Sequence, residues 1–183
     1  MDKSSIVLRN LSVLLTLFIA FGCLSFSLGT TSFSIKDEYS CTPCGQSCDK
    51  EVYSAKGICS HCHMPLVKKA TINFKSIEPS EICDFISRNP KVILLDVRTK
   101  DEFEGKVEPR LGRLKNAINL PIQELEAKIA LLAAYKDKEI IVYCSRSHRS
   151  PRASYILSQN GFKKVTNMAG GMSVMRDNSC KVQ

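Results

Sequence analysis

The sequence has no tryptophan, only three histidines and an aromatic content of 7%. It also lacks internal repeats and low-complexity tracts. Acidic residues are scarce, 18 against 26 lysines and arginines, for a formal charge of +8. The basic residues are scattered, and no recognition motif with interleaved stacking aromatics accompanies them, so nucleic-acid binding is not expected. The positive balance fits a solvated basic surface, an affinity for anionic small molecules, or an affinity for an anionic membrane surface. With 44% hydrophobic and 24% charged residues, 183 positions can bury the core of one medium domain and carry a small second unit.

The N-terminus reads as an export segment. Lys3 and Arg9 form a basic start, and Leu11 to Leu28 is an uncharged stretch of 18 residues. Three fates stay open. Ala20-Phe21-Gly22-Cys23 is a degenerate lipobox that would lipidate Cys23, Ser27-Leu28-Gly29 is a small-x-small cleavage pattern, and the stretch sits at the lower edge of a membrane span. The expected location is outside the cytoplasm, periplasmic or as a membrane-attached lipoprotein. The chain then divides into residues 1–29 (signal or anchor), 30–38 (polar linker), 39–67 (a Cys/His module), 72–176 (an α/β domain) and 177–183 (a tail).

The α/β reading follows from alternating strand-like and amphipathic segments. Val92-Ile93-Leu94-Leu95 and Ile140-Ile141-Val142-Tyr143 are short apolar runs, as expected of central parallel strands covered on both faces. Ile72–Ile77, Ala117–Leu120 and Lys164–Met168 complete a parallel sheet of about five strands. Ser80–Arg88, Glu124–Tyr135 and Ser150–Asn160 carry apolar residues at helical spacing, and Gly161 is the expected stop of the last. Sites in such sheets form at the carboxyl ends of strands, and Cys144 directly follows one.

The loop Cys144-Ser145-Arg146-Ser147-His148-Arg149-Ser150 runs from a strand into a helix. Backbone N–H groups in such a turn and the positive end of the next helix form an anion cup that favours a thiolate. Arg146, His148 and Arg149 add cationic or donor groups. A reactive nucleophile at Cys144 is the expectation; a buried strand-end thiol is the plainer one.

Leu95-Asp96-Val97-Arg98, Asp101-Glu102-Phe103, Asn116 to Pro121, Ile141 to Cys144 with its loop, and Gly170-Gly171 stand in an order that resembles a single rhodanese-like domain over residues 73–176. The resemblance implies an α/β rhodanese-like fold with helices on both faces of the sheet. It makes Cys144 the carrier of a sulfane sulfur as a persulfide and Arg149 the anion-binding partner. Ser145, Arg146, Ser147, His148 and Ser150 become the substrate-binding loop, and Asp96 and Arg98 structural braces. A thiophilic acceptor, a small thiol or a protein, would take the sulfur away. Ser147 stands where that family usually has glycine, Arg113 where a histidine is frequent, and Asn116 where glycine is common, which leaves the use of thiosulfate open. A related cysteine phosphatase or arsenate reductase would place arginine six positions after the cysteine, where Ser150 stands here.

Five of the nine cysteines crowd into the 22 residues from Cys41 to Cys62. Cys41-x2-Cys44 and Cys59-x2-Cys62, separated by 14 residues, have the spacing of a zinc ribbon, with Cys41, Cys44, Cys59 and Cys62 as the expected ligands of zinc. The surrounding residues partly resemble the small heavy-metal-binding domain of copper-exporting ATPases and efflux adaptors, and soft Cu(I) would suit the same thiolates. Three roles are open for this module: a metal staple, metal or partner sensing, and a disulfide knot. His61 and His63 are expected outside the ligand set. Cys48 is free to replace Cys44, to pair with Cys180, or to receive sulfur from Cys144. Cys83 is expected in the core and Cys180 exposed in a mobile tail. A rival function is a non-catalytic metal- or redox-binding module in which the α/β domain only presents a surface.

Overall fold

The computed structural model describes residues 36–182, so the expected export segment and the start of the linker lie outside the described residues. Two short strands, β1 (Tyr39–Ser40) and β2 (Val67–Lys68), pair antiparallel and close the cysteine module. The α/β domain follows with β3 (Lys75–Ile77), α1 (Ile82–Arg88), β4 (Ile93–Asp96) and α2 (Lys100–Phe103). Next come β5 (Arg113–Leu114), β6 (Ile118–Asn119), α3 (Ile122–Lys128), β7 (Glu139–Tyr143), α4 (Arg149–Gln159), β8 (Lys164–Met168) and β9 (Lys181–Val182).

Five strands form one parallel sheet in the order β3-β8-β7-β4-β6. The two strands with the most continuous apolar sequence, β4 and β7, lie side by side inside it, where both faces are covered. Alternation along β7 sends Ile140 and Val142 to one face and Ile141 and Tyr143 to the other. The first face packs on Leu125 of α3 and Ala153, Ile156 and Leu157 of α4; the second packs on Ile82 and Cys83 of α1. Helices therefore cover both faces.

Two segments depart from the periodic reading. The amphipathic stretch expected over Glu124–Tyr135 is an α-helix only to Lys128 and tightens into 3-10 turns from Ile129 to Tyr135. The tail is not loose: β9 pairs antiparallel with β5, and Cys180 forms a disulfide with Cys83 across 97 residues of sequence. The core position expected of Cys83 is correct; the exposed, mobile position expected of Cys180 is replaced by a crosslink that pins the tail to α1, with Cys83 and not Cys48 as the partner. That pinned strand holds Gly112–Leu114 in place, and a Cβ on Gly112 would lie 2.6 Å from the Val182 carbonyl oxygen.

A crosslink closing so long a loop removes conformational freedom from the unfolded chain. Cys180→Ser should therefore cost about 2–4 kcal/mol of unfolding free energy, read from denaturant midpoints against the oxidised parent. Equal midpoints would show the bond to be dispensable.

Candidate functional site

Register places Asp96, Tyr143, Asn167 and Asn119 near one another at the carboxyl ends of β4, β7, β8 and β6. A buried ion pair organises this end. Arg98 and Asp96 are both fully buried; the Arg98 guanidinium donates to both Asp96 carboxylate oxygens, at 2.6 and 3.0 Å, and to the Gly112 carbonyl at 2.8 Å. Burial alone opposes the Arg98 charge, but the hydrogen bonds and charge of Asp96 carry its pKa above the ordinary value. Asn119 clamps the turn by donating to the Asp96 and Arg98 carbonyls, and the Leu114 amide donates to the Tyr143 hydroxyl at 3.2 Å. Asp96 and Arg98 thus occupy the bracing position expected of them.

Cys144 leaves β7 almost fully buried, at 1% exposure, in the apolar layer of Leu120, Leu125, Ala153 and Ile156. Its thiol donates to the Ser150 hydroxyl at 3.5 Å. The amides of Ser145 to His148 find no backbone or side-chain acceptor among the described residues, as an anion cup requires. The cup is braced from behind: the Met172 and Ser173 amides donate to the Cys144 and Ser145 carbonyls, each at 2.9 Å. Gly171 makes this approach possible, because a Cβ there would lie 2.6 Å from the Cys144 carbonyl oxygen.

Ser147 sits at φ 55, the left-handed region in which glycine is at ease, so the loop retains the backbone shape and the serine strains to follow it. Its hydroxyl is buried without a hydrogen-bond partner among the described residues. Asn116, also at a position where glycine is common, takes φ 63.

Neither loop arginine is free. Arg149 donates to both Glu102 oxygens, at 2.6 and 2.7 Å, and to the Ser145 hydroxyl at 2.7 Å. Glu102 also closes a capping box on α2, accepting from the Thr99 amide and hydroxyl. These bonds, those from Arg149 first, lower the Glu102 pKa to about 2 from 4.5. Arg146 reaches Glu108 and is more exposed. His148 is exposed. The signal for Glu102 stood in the sequence as part of Asp101-Glu102-Phe103; its grip on Arg149 did not.

The cysteine module brings together Cys41, Cys48, Cys59 and Cys62, whose sulfurs lie within 4.8 Å of one another. Cys44, expected as the fourth ligand, stands outside this set, and Cys48 takes its place. The reason is Asp49: its carboxylate accepts from the amides of Cys44 and Gly45, at 3.0 and 2.7 Å, and from the Cys44 thiol at 3.3 Å. The 3-10 turn Ser47–Lys50 then directs Cys48 inward, fully buried. Cys44, Cys48 and Asp49 form a neighbouring group. Around Cys59 the chain makes a metal-type knuckle, with the His61 and Cys62 amides aimed at its sulfur at 3.4 and 3.5 Å. Burial pushes the Cys59 thiol up, but these amides and the Cys41 thiol bring it down to about 6. Burial pushes Cys48 up to about 11. His61 and His63 are exposed and outside the cluster. Four converging sulfurs, three buried and that of Cys62 half-buried, fit zinc, and Cu(I) chemically as well.

The module rests on the carboxyl end of β8. Asn167 donates to the Pro43 carbonyl at 3.3 Å, and Gly45 lies against Ala169. Between the module and the Cys144 loop opens a cleft of about 550 Å³, with Met64 and Pro65 on one side and Glu126, His148, Arg149 and Arg152 on the other.

The depressed pKa of Glu102 makes its bonds stabilising above its unfolded value, near 4.5, and progressively lost as pH falls toward about 2. Unfolding free energy measured from pH 6 down to pH 2.5 should fall by up to about 3 kcal/mol more in the parent than in Glu102→Gln. Parallel curves would remove Glu102 from the account.

The model of the rhodanese-like domain matches residues 79–177. Over 88 residues the chain is 31% identical to the tRNA uridine(34) hydroxylase of Cronobacter sakazakii, an alignment covering 46% of this chain and 24% of the relative. It spans about a quarter of the curated relatives it matches. Among solved structures, a rhodanese-related protein of Thermoplasma volcanium is similar at 31% identity and TM-score 0.45, covering 55% of this chain and 88% of that one. A Rhodopseudomonas palustris protein of unknown function shares the fold at 20% identity and TM-score 0.51, covering 60% of this chain and 85% of that one. With a cysteine-bearing loop at the strand ends and a family model spanning more than half of its length, the chain belongs to the rhodanese-like domain family.

Proposed function

We propose that the protein is an exported sulfurtransferase or sulfur carrier that holds a sulfane sulfur as a persulfide on Cys144. The observation that carries this reading is the cup itself: Cys144 faced by the Ser150 hydroxyl and followed by unpartnered amides, with the loop closed at its fifth following residue by Arg149. The Cys144 sulfur attacks the outer sulfur of a donor, the donor S–S bond breaks, and its electron pair leaves with the departing thiolate or sulfite. Free loop amides would stabilise the terminal persulfide anion. A thiophilic acceptor, a small thiol or a protein thiol, then takes the outer sulfur by the same exchange in reverse.

Phosphate chemistry fits less well, because Ser150, not an arginine, occupies the sixth following place and takes the Cys144 thiol bond. The hydroxylase activity in the name of the curated relatives belongs to proteins about four times as long as the shared region. Export is supported by the basic-then-apolar N-terminus and by a disulfide of the kind that persists in oxidising compartments. Membrane attachment would run through that same N-terminus. Zinc is the resident ion we assign to Cys41, Cys48, Cys59 and Cys62, where it would supply a structural crosslink.

Intact mass after incubation with thiosulfate and with cysteamine persulfide should show one added sulfur atom, absent in Cys144→Ser. No added sulfur from any donor would overturn the reading. If Cys144→Ser retained every measurable property while Cys59→Ser lost them, the chain would instead be a metal or redox module. Bound zinc, measured on purified protein, should fall by half or more in Cys48→Ser and stay near the parental level in Cys44→Ser; the opposite pattern would restore Cys44 as the fourth ligand.

A further inference from the structure

The segment from Gly105 to Leu111 turns back toward the catalytic loop. Leu111 at its end packs against the core, while Val107 before Glu108 is 49% exposed. Glu108 within it adopts φ 50, ψ 55 directly before Pro109, a left-handed conformation that side chains rarely take and that a following proline disfavours further. The 3-10 turn that begins there receives no side-chain cap from Glu108. The carboxylate instead crosses 38 positions of sequence and engages both terminal nitrogens of Arg146, two residues after Cys144. Backbone strain at non-glycine residues clusters at functional sites, and here the strained residue points its charge at the Cys144 loop.

The charge balance at the cup follows. Arg149 is held by Glu102 and Arg146 by Glu108, so the two guanidinium groups of the loop are each matched by a carboxylate. Arg152, which has no ion pair among the described residues, lies one helical turn further along α4 and shares its cleft with Glu126. A dianion entering the Cys144 loop meets two arginines that are each already held by a carboxylate, while the unpaired Arg152 stands one turn further along the cleft.

We propose that Glu108 sets the charge class of the donor that reaches Cys144: by occupying Arg146 it turns away dianions such as thiosulfate and favours a persulfide carried on a thiol. This inference rests on the sulfur-transfer reading above. The transfer stays balanced with no added oxidant: the Cys144 sulfur bonds to the outer sulfur of R–S–SH, the donor S–S bond breaks, and R–S⁻ leaves with the electron pair.

The test uses the full chain and its Glu108→Gln and Glu108→Lys variants, with Asp137→Asn as a control for charge removed beside Lys163, away from the catalytic loop. Alkylation of Cys144, resolved by peptide mass, is timed with iodoacetate and with the neutral iodoacetamide. Persulfide loading is timed with thiosulfate and with cysteamine persulfide. In Glu108→Gln the iodoacetate-to-iodoacetamide ratio and the thiosulfate rate should both rise about 3–10-fold at low salt, less at high salt, because one repelling charge is gone. Glu108→Lys should exceed it, and Asp137→Asn should match the parent. A ratio unchanged in Glu108→Gln, or raised equally in Asp137→Asn, overturns the proposal. Alkylation needs no sulfur transfer, so the two readings fail separately. A chain that takes up no sulfur but shifts its alkylation ratio overturns Cys144 as a sulfur carrier and leaves Glu108 as the charge filter of a thiol site.

Discussion

One carboxylate joins the parts of this site that sequence separates. Glu102 lies 42 residues before Cys144, on a helix of a single turn, yet it accepts the Thr99 amide that starts that helix and the guanidinium that starts α4. A four-residue helix has no stability of its own. It is held because its capping box and its bidentate ion pair draw on one carboxylate and share its Oε2 atom. Without that pair, Arg149 would be a half-buried cation at the positive end of α4, where it is least welcome. The shape of the Cys144 loop is in this sense set from outside the loop.

A second constraint works one layer deeper. Asp96 and Arg98 are wholly buried, a costly arrangement for two charges unless each finds its hydrogen bonds. All but one of the polar groups do: the Arg98 Nη1 atom has no partner among the described residues, while the other nitrogens bind Asp96 and the Gly112 carbonyl. Gly112 is in turn pressed against Val182 of the tail strand, which the Cys83–Cys180 bond fastens to α1. The Cys83–Cys180 crosslink, through β9, and the ion pair at the end of β4 therefore both support one segment, residues 112–114.

Much of the sheet was legible because its signals are local. The apolar runs of β4 and β7 are buried on both faces and could only be central, and β8 falls on Lys164–Met168 as read. The position of Cys144 follows from β7 alone. Other features depend on partners far along the chain. Nothing beside Cys180 announces Cys83, and nothing beside Arg146 announces Glu108. The zinc-ribbon spacing drew attention to Cys44, and the deciding residue was Asp49, whose carboxylate ties down the Cys44 and Gly45 amides and swings the next cysteine inward. Spacing rules describe the backbone of a knuckle; they do not see a competing acceptor four or five residues away.

The cysteine module also shows why its sulfurs need something to hold. Its enclosed apolar cluster consists of Cys41, Cys44, Cys48, Cys59, Met64 and Leu66, too little hydrocarbon for a unit of this length to stay folded by burial alone. Two neutral solutions are available to such a cluster: disulfides or a bound cation. The sulfurs of Cys41 and Cys62 stand 3.5 Å apart without being joined, and four sulfurs converge on one place instead of pairing two by two. Amides aimed at Cys59 add donors that a disulfide has no use for and a metal thiolate does. The same cation would fix the Pro43–Gly45 turn that rests on Asn167 and Ala169, one step from the Gly170-Gly171 brace of the Cys144 loop. The module is thus seated on the strand end that supports the Cys144 loop, and its folding and the rigidity of that support are one physical problem.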